Sequence, residues 1–206
     1  MKSFSQHAYD RDHELALMEN FMREGVNDPG IFKAFFTAGG PGSGKSYVAT
    51  RSGVGRLSPY GLKIVNSDNQ YEKLLKDAGI AMTPENIYSP RGQEIRGRAK
   101  ALTKKQQAGY IEGRLGLLID GTGKDYAKIK KMSDSLKKIG YDTYMMFVNT
   151  SLDTAQQRNK MRERQLEENE VADMWKAVQS NMGAFQRYFG RENFILIDNN
   201  NATEKV

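Results

Sequence analysis

Apolar residues in this chain come in short, nearly unbroken runs: Ile31-Phe32-Lys33-Ala34-Phe35-Phe36-Thr37-Ala38, Leu62-Lys63-Ile64-Val65, Leu115-Gly116-Leu117-Leu118-Ile119, Tyr144-Met145-Met146-Phe147-Val148 and Phe194-Ile195-Leu196-Ile197. Each is too short for a buried helix and lacks the alternation of a strand with one wet face, so each predicts a strand covered on both sides. The segments between them have helical spacing. Residues 12–24 place Leu15, Met18, Phe21 and Met22 on one face and stop at Gly25, and residues 69–78 form a second helix. Residues 91–111 are a basic, mostly helical stretch interrupted by Gly92, Gly97 and Gly109. Ile129, Met132, Leu136 and Ile139 share a face before Gly140, Thr150 and Asp153 have capping-box spacing before another helix, and residues 171–188 supply the last one. Buried strands alternating with helices demand right-handed crossovers and a helix layer on each face. The expected fold is a three-layer α/β/α sandwich around a five-stranded, mainly parallel sheet. It forms one domain over residues 1–206, with 1–30 as an N-terminal helical extension.

Composition narrows the classes. The chain has 206 residues, 38% hydrophobic and 27% charged, enough to fill one core and far from a disordered composition. No apolar run reaches the roughly 20 residues of a bilayer span, and the first residues lack a leader's apolar stretch, so the expectation is a cytoplasmic protein without membrane contact. There is no cysteine, and the two histidines, His7 and His13, lie together near the start, which removes thiolate, disulfide and histidine-triad chemistry. The net charge is +6, but residues 89–138 carry thirteen Lys or Arg against five Asp or Glu. That block reads either as solvated helix faces or as a surface for a polyanion.

One motif carries chemistry. Gly39-Gly40-Pro41-Gly42-Ser43-Gly44-Lys45-Ser46 fits G-x-x-x-x-G-K-[ST] and stands between a buried strand and a helix, where a phosphate-binding loop has to be. Glycines let successive backbone N–H groups converge on phosphate oxygens at the positive end of the next helix. Lys45 is expected to reach the β- and γ-phosphates of ATP from a solvent-facing position, and the Ser46 hydroxyl to ligate Mg²⁺. The expected nucleotide-binding residues are Gly40, Gly42, Ser43, Gly44, Lys45, Ser46 and Tyr47. A guanine-reading Asn-Lys-x-Asp is absent after the fourth strand, where the sequence is Asn149-Thr150-Ser151-Leu152-Asp153. Ring ATPases usually append a helical domain, for which these elements leave no residues. A compact phosphotransferase is left.

Such an enzyme needs a proton acceptor and a metal or substrate holder. Asp68 is expected at the end of the second strand and Asp120 at the end of the third, both at the carboxyl edge where such sheets bind ligands. Asp68 is assigned as base; Asp120 is assigned to Mg²⁺ and, with Thr122, to substrate. Each aspartate also fits a helix cap or a turn. Arginines that stabilise the transferred phosphoryl group are sought in Arg158-Asn159-Lys160-Met161-Arg162-Glu163-Arg164, where Arg158 and Arg162 share a helical face. Residues 151–170 would then be a lid, although the neighbouring glutamates also allow a salt-bridged helix.

Taken together, the Gly39–Ser46 loop, Asp68, Leu118-Ile119-Asp120-Gly121-Thr122 and the arginines from Arg158 onward resemble P-loop kinases of the polynucleotide 5′-kinase and zeta-toxin group over residues 31–198. Where polynucleotide kinases often place an arginine three residues beyond the base, this chain has Tyr71, and a zeta-toxin sugar-nucleotide pocket is not identifiable in residues 80–115. Segments 119–125, 140–143, 147–150 and 158–159 also resemble bacteriophage-encoded DNA kinases that phosphorylate the hydroxymethyl group of 5-hydroxymethyluracil within DNA. The resemblance implies a Mg-ATP-dependent kinase with an alcohol acceptor, a DNA partner and a host-cytoplasmic location. The alternatives are a 5′-hydroxyl polynucleotide kinase, a zeta-toxin-like or small-molecule kinase, and a nucleotide-switched binding module without transfer.

Overall fold

The computed structural model describes residues 32–51, 62–162 and 165–200. The helix expected over 12–24 and the lid residue Arg164 lie outside the described residues. In chain order the elements are β1 (Lys33–Ala38), α1 (Lys45–Arg51), β2 (Lys63–Val65), α2 (Ser67–Asp77), α3 (Pro84–Tyr88), α4 (Pro90–Glu112), β3 (Leu117–Ile119), α5 (Tyr126–Lys138), β4 (Asp142–Asn149), α6 (Leu152–Lys160), α7 (Glu168–Phe189) and β5 (Phe194–Asp198).

The five strands form one sheet in the order β2-β3-β1-β4-β5, and every neighbouring pair is parallel. The sheet is therefore wholly rather than mainly parallel. Its strands read as continuous apolar runs because alternate residues go to opposite helix layers. Ala34, Phe36, Met145 and Phe147 share a cluster with Leu136 of α5 and with Val178, Phe185 and Phe189 of α7. On the other side Leu118, Met146 and Val148 pack with Val48 of α1. Fully burying one such side chain contributes about 1.5–3 kcal/mol, and Phe147→Ala, at 0% exposure, should cost about 3–5 kcal/mol. A satellite cluster of Tyr71, Leu75, Ile87, Ile95 and Ala99 fastens α2, α3 and α4 to each other beyond the β2 edge.

Several boundaries differ from the sequence reading. Residues 90–112 form one continuous helix, because burial of Ile95, Ala99 and Thr103 outweighs the cost of about 1 kcal/mol per glycine. Gly92 has a packing reason to be glycine: a Cβ there would stand 2.1 Å from the Asn86 carbonyl oxygen. The cap of α6 is Ser151, whose hydroxyl accepts from the Thr154 N–H at 3.2 Å, so the Thr150–Asp153 capping box is not formed. Thr150 is buried and its carbonyl accepts the Trp175 indole N–H at 2.8 Å. The second strand ends at Val65 because the Asn66 side chain caps α2 by accepting from the Asp68 N–H at 2.7 Å. Among the described residues no helix is long and apolar enough to cross a membrane.

Candidate active site

The chain between β1 and α1 is pressed into shape by elements far away in sequence. Gly42 (φ +75°) and Gly44 (φ +81°) occupy left-handed conformations, and a Cβ on either would meet a wall: the Ala155 carbonyl at 2.2 Å in the first case, the Asn199 amide nitrogen at 2.3 Å in the second. Asn199 is buried just past β5. Its Nδ2 donates to the Ser43 carbonyl at 2.8 Å, and its own carbonyl accepts from Arg158 Nη2 at 2.8 Å. Arg158 Nη1 also reaches the Gly42 carbonyl at 3.5 Å. The far end of the loop thus rests on α6 and on the chain after β5.

Lys45 does not face solvent. Its Nζ donates to the Gly39 carbonyl at 2.7 Å and to that of Gly40 at 3.4 Å, and burial pushes its pKa down, opposed by the nearby Asp120 carboxylate. The Ser43 hydroxyl is buried inside the loop with no hydrogen-bond partner among the described residues, an arrangement that favours an incoming acceptor or anion over an empty loop.

The two candidate aspartates are linked through one amide, that of Asn66. Asp120, immediately after β3, accepts from Thr37 Oγ1 at 2.6 Å and from Asn66 Nδ2 at 2.8 Å. The other end of the same Asn66 side chain accepts from the Asp68 backbone. Because β3 neighbours β1 while β2 lies one strand further out, Asp120 stands beside the loop and Asp68 across from it. Asp68 does not end a strand; it sits in the first turn of α2, half exposed, with its carboxylate 3.6 Å from Arg96 Nη2 of α4. Arg96 lies over the Tyr71 ring, 4.8 Å from its centroid.

The loop from Gly40 onward, Asn66, Asp68, Arg96, Asp120 and Arg158 border one open cavity of about 550 Å³. Every residue picked from the sequence and described by the structure lines it: Gly40, Gly42, Ser43, Gly44, Lys45, Ser46, Tyr47, Asp68, Asp120, Thr122, Arg158 and Arg162. Arg162 lies beyond the end of α6, so it does not share a helical face with Arg158, yet it reaches the same space. Thr122 contributes its carbonyl, which accepts the Gly39 N–H at 2.9 Å. At the outer rim Tyr88 donates a short hydrogen bond to Glu170, which raises the tyrosine's pKa, and so links α3 to α7. The sequence reading missed Thr37, Asn66, Asn199, Trp175 and the Tyr88–Glu170 link, and placed Arg96 only within a basic surface block.

Residues 35–183 match the family model AAA_33, described as an AAA domain, and the chain belongs to this family. Its P-loop NTPase-like α/β fold recurs among solved structures. It is similar to the AvrRxo1-ORF1:ORF2 complex with ATP, at a TM-score of 0.64 and 17% identity over 87% of this chain and 58% of that one. It is similar to a structure of the PezAT chromosomal toxin–antitoxin system of Streptococcus pneumoniae, at 0.58 and 15% over 96% and 79%. It is also similar to a putative kinase from Chloroflexus aurantiacus, at 0.56 and 13% over 84% and 91%. The chain spans a little over half the length of the AvrRxo1 chain it matches. No curated protein matches the sequence. Family and fold name a scaffold; the reaction has to be argued from the cavity.

Proposed function

We propose that the protein is a Mg-ATP-dependent kinase that transfers the γ-phosphate to a hydroxyl of a nucleic acid. One observation carries this: a phosphate-binding loop with a sunken lysine and an orphaned serine hydroxyl shares a cavity with a carboxylate on the opposite wall. A nucleotide switch has no need of that second wall.

In this reading the loop amides and Lys45 hold the β- and γ-phosphates, and the acceptor oxygen attacks phosphorus from the Asp68 side. Asp68 takes the hydroxyl proton, the bond between γ-phosphorus and the bridging oxygen breaks, and ADP leaves. Arg162, exposed beyond α6, is the group free to follow the moving charge. Arg158, bonded to the Asn199 carbonyl, keeps the loop in shape. The Ser46 hydroxyl and the Asp120 carboxylate fit Mg²⁺, which is typically held by one or two carboxylates together with phosphate oxygens. Bound there, the ion would neutralise charge building on the phosphates. Thr122 would contact the acceptor.

A polymeric anion as acceptor is supported by the basic block. Arg96, Lys100 and Lys104 recur every four residues along α4, forming one stripe that begins in the cavity. Lys124 and Lys128 line the same opening at the start of α5. Gln107 donates to the Met132 sulfur at 3.5 Å, which holds α4 beside α5, and Lys128 shares a stripe with Met132. Among the described residues, Lys100, Lys104, Lys124 and Lys128 form no ion pair. Within this class, the resemblance to hydroxymethyluracil DNA kinases supports the hydroxymethyl group of 5-hydroxymethyluracil in DNA as the acceptor.

The test is incubation with γ-labelled ATP and a panel of unmodified DNA, 5-hydroxymethyluracil DNA, 5′-hydroxyl oligonucleotides and sugar nucleotides. Label should enter the hydroxymethyluracil DNA. Label in 5′-hydroxyl oligonucleotides alone would make it an end kinase, and label in sugar nucleotides alone a small-molecule kinase. Release of inorganic phosphate with every acceptor would remove the kinase reading.

A further inference from the structure

Arg96 is built to hold something other than what it touches. Its guanidinium carbon lies 4.8 Å from the centroid of the ring of Tyr71, itself 1% exposed, so one side of the fork is covered by a buried wall. Its Nε is buried and has no hydrogen-bond partner among the described residues. Its contact with Asp68, at 3.6 Å, is too long for the paired bonds a guanidinium makes with a carboxylate. A buried N–H left unmade is costly, and an arginine that merely anchored Asp68 would be expected to spend its donors on it. Arg96 borders the cavity on the Asp68 side, across from the loop that would carry ATP. Nearby Gln93 is already committed, donating to the Ile87 carbonyl at 2.7 Å.

We infer that Arg96 is the binding residue for a phosphate group of the acceptor, so that the accepting hydroxyl belongs to a molecule with an anionic phosphate close enough to reach Arg96 while its oxygen faces Asp68. This rests on the kinase reading and deepens it: the substrate class is a phosphorylated acceptor, not a neutral alcohol or sugar. A guanidinium held by a stacking wall with open donors suits a phosphate because two parallel N–H groups meet two oxygens at once. The charge-assisted bonds would also turn Arg96 away from Asp68 and leave that carboxylate to the hydroxyl.

Calorimetric titration of inorganic phosphate, with and without a saturating non-hydrolysable ATP analogue plus Mg²⁺, separates the two phosphate sites. Wild type should show a phosphate-binding component that survives saturation with the analogue. Arg96→Gln should weaken that component at least tenfold while leaving analogue affinity unchanged, and Arg96→Lys should retain part of it. Failure of the analogue to bind would strike the kinase reading alone, because the Arg96-dependent component is still read from the titration without analogue. Equal phosphate binding in wild type and Arg96→Gln, or no analogue-insensitive component in wild type, overturns the inference. So does parallel loss of phosphate and analogue binding in both variants, which would make Arg96 structural.

Discussion

The two walls of the cavity are made in different ways. On the donor side the loop is held by buried or half-buried groups from three separate parts of the chain: Asn199 on the Ser43 carbonyl, Arg158 on the Asn199 carbonyl, and Lys45 on the Gly39 and Gly40 carbonyls. On the acceptor side the groups are partly exposed helix side chains, with Asp68 in the first turn of α2 in a long contact with Arg96 of α4, and Tyr88 at the end of α3 reaching Glu170 across the rim. The contrast suits a kinase. A triphosphate presents the same oxygens every time and repays a rigid cradle, whereas acceptors enter, leave and differ, so their wall is made of groups that can move. Asn66 is the hinge between the two, with one amide joined to Asp120 beside the loop and to the backbone of Asp68 opposite it.

The contrast can be broken most severely at Lys45. Lys45→Met should lower kcat/KM by about 10³-fold, the upper end for loss of one preorganised charge-stabilising group. The nucleotide-free fold should not suffer, because the ammonium it removes is held in a site that disfavours its charge. A folded pKa below the unfolded value means that the unfolded chain binds more protons between the two. Wild-type stability should therefore rise relative to Lys45→Met as pH climbs through that window toward about 10.5, a gap that thermal melts at several pH values would follow.

The hinge comes next. Asn66→Ala frees the Asp120 carboxylate and uncaps the turn that carries Asp68, and it should cost about 10²-fold in kcat through misplacement, with ATP affinity little changed; steady-state kinetics on wild type and variant check it. If ATP affinity falls as much as kcat, the two walls are not separable. Asn199→Ala leaves the Ser43 carbonyl without its partner and should lower stability by about 1–3 kcal/mol, read by denaturant unfolding. It should also weaken ATP binding without altering acceptor KM. The smallest effect belongs to the basic stripe. Lys100→Gln with Lys104→Gln should raise KM for DNA a few-fold and reduce the slope of log affinity against log salt by about 2, with no change for ATP.

Sequence legibility followed the same division. The loop and strands were readable because their signals are local: glycines that need left-handed backbone, and apolar runs of parallel-strand length, although on the edge strands β2 and β5 Ile64, Ile195 and Leu196 are about half exposed and not covered on both sides as expected. Asp120 and Asp68 were found by their place after apolar runs, but the cap that pulls Asp68 off its strand depends on the Asn66 side chain folding back, which spacing does not show. Asn199 and Trp175 lie more than 120 residues from the loop they support, and no periodicity links them to it. Arg96 looked like one more charge on a basic helix. Only the packing of α4 against α2 turns it inward over Tyr71.

The claim that donor and acceptor walls work separately is tested most directly by Asp68→Asn. Trp175 is the sole tryptophan, and its Cβ lies 3.8 Å from where a Gly40 Cβ would stand, so its fluorescence reports nucleotide at the loop. The account predicts that ATP titrated into Asp68→Asn changes this fluorescence with an affinity within a few-fold of wild type, while phosphoryl transfer falls by about 10²–10⁴-fold. Near-normal transfer in Asp68→Asn together with its loss in Asp120→Asn, ATP binding intact, would show that the base is Asp120; near-normal transfer in both would place the chemistry elsewhere.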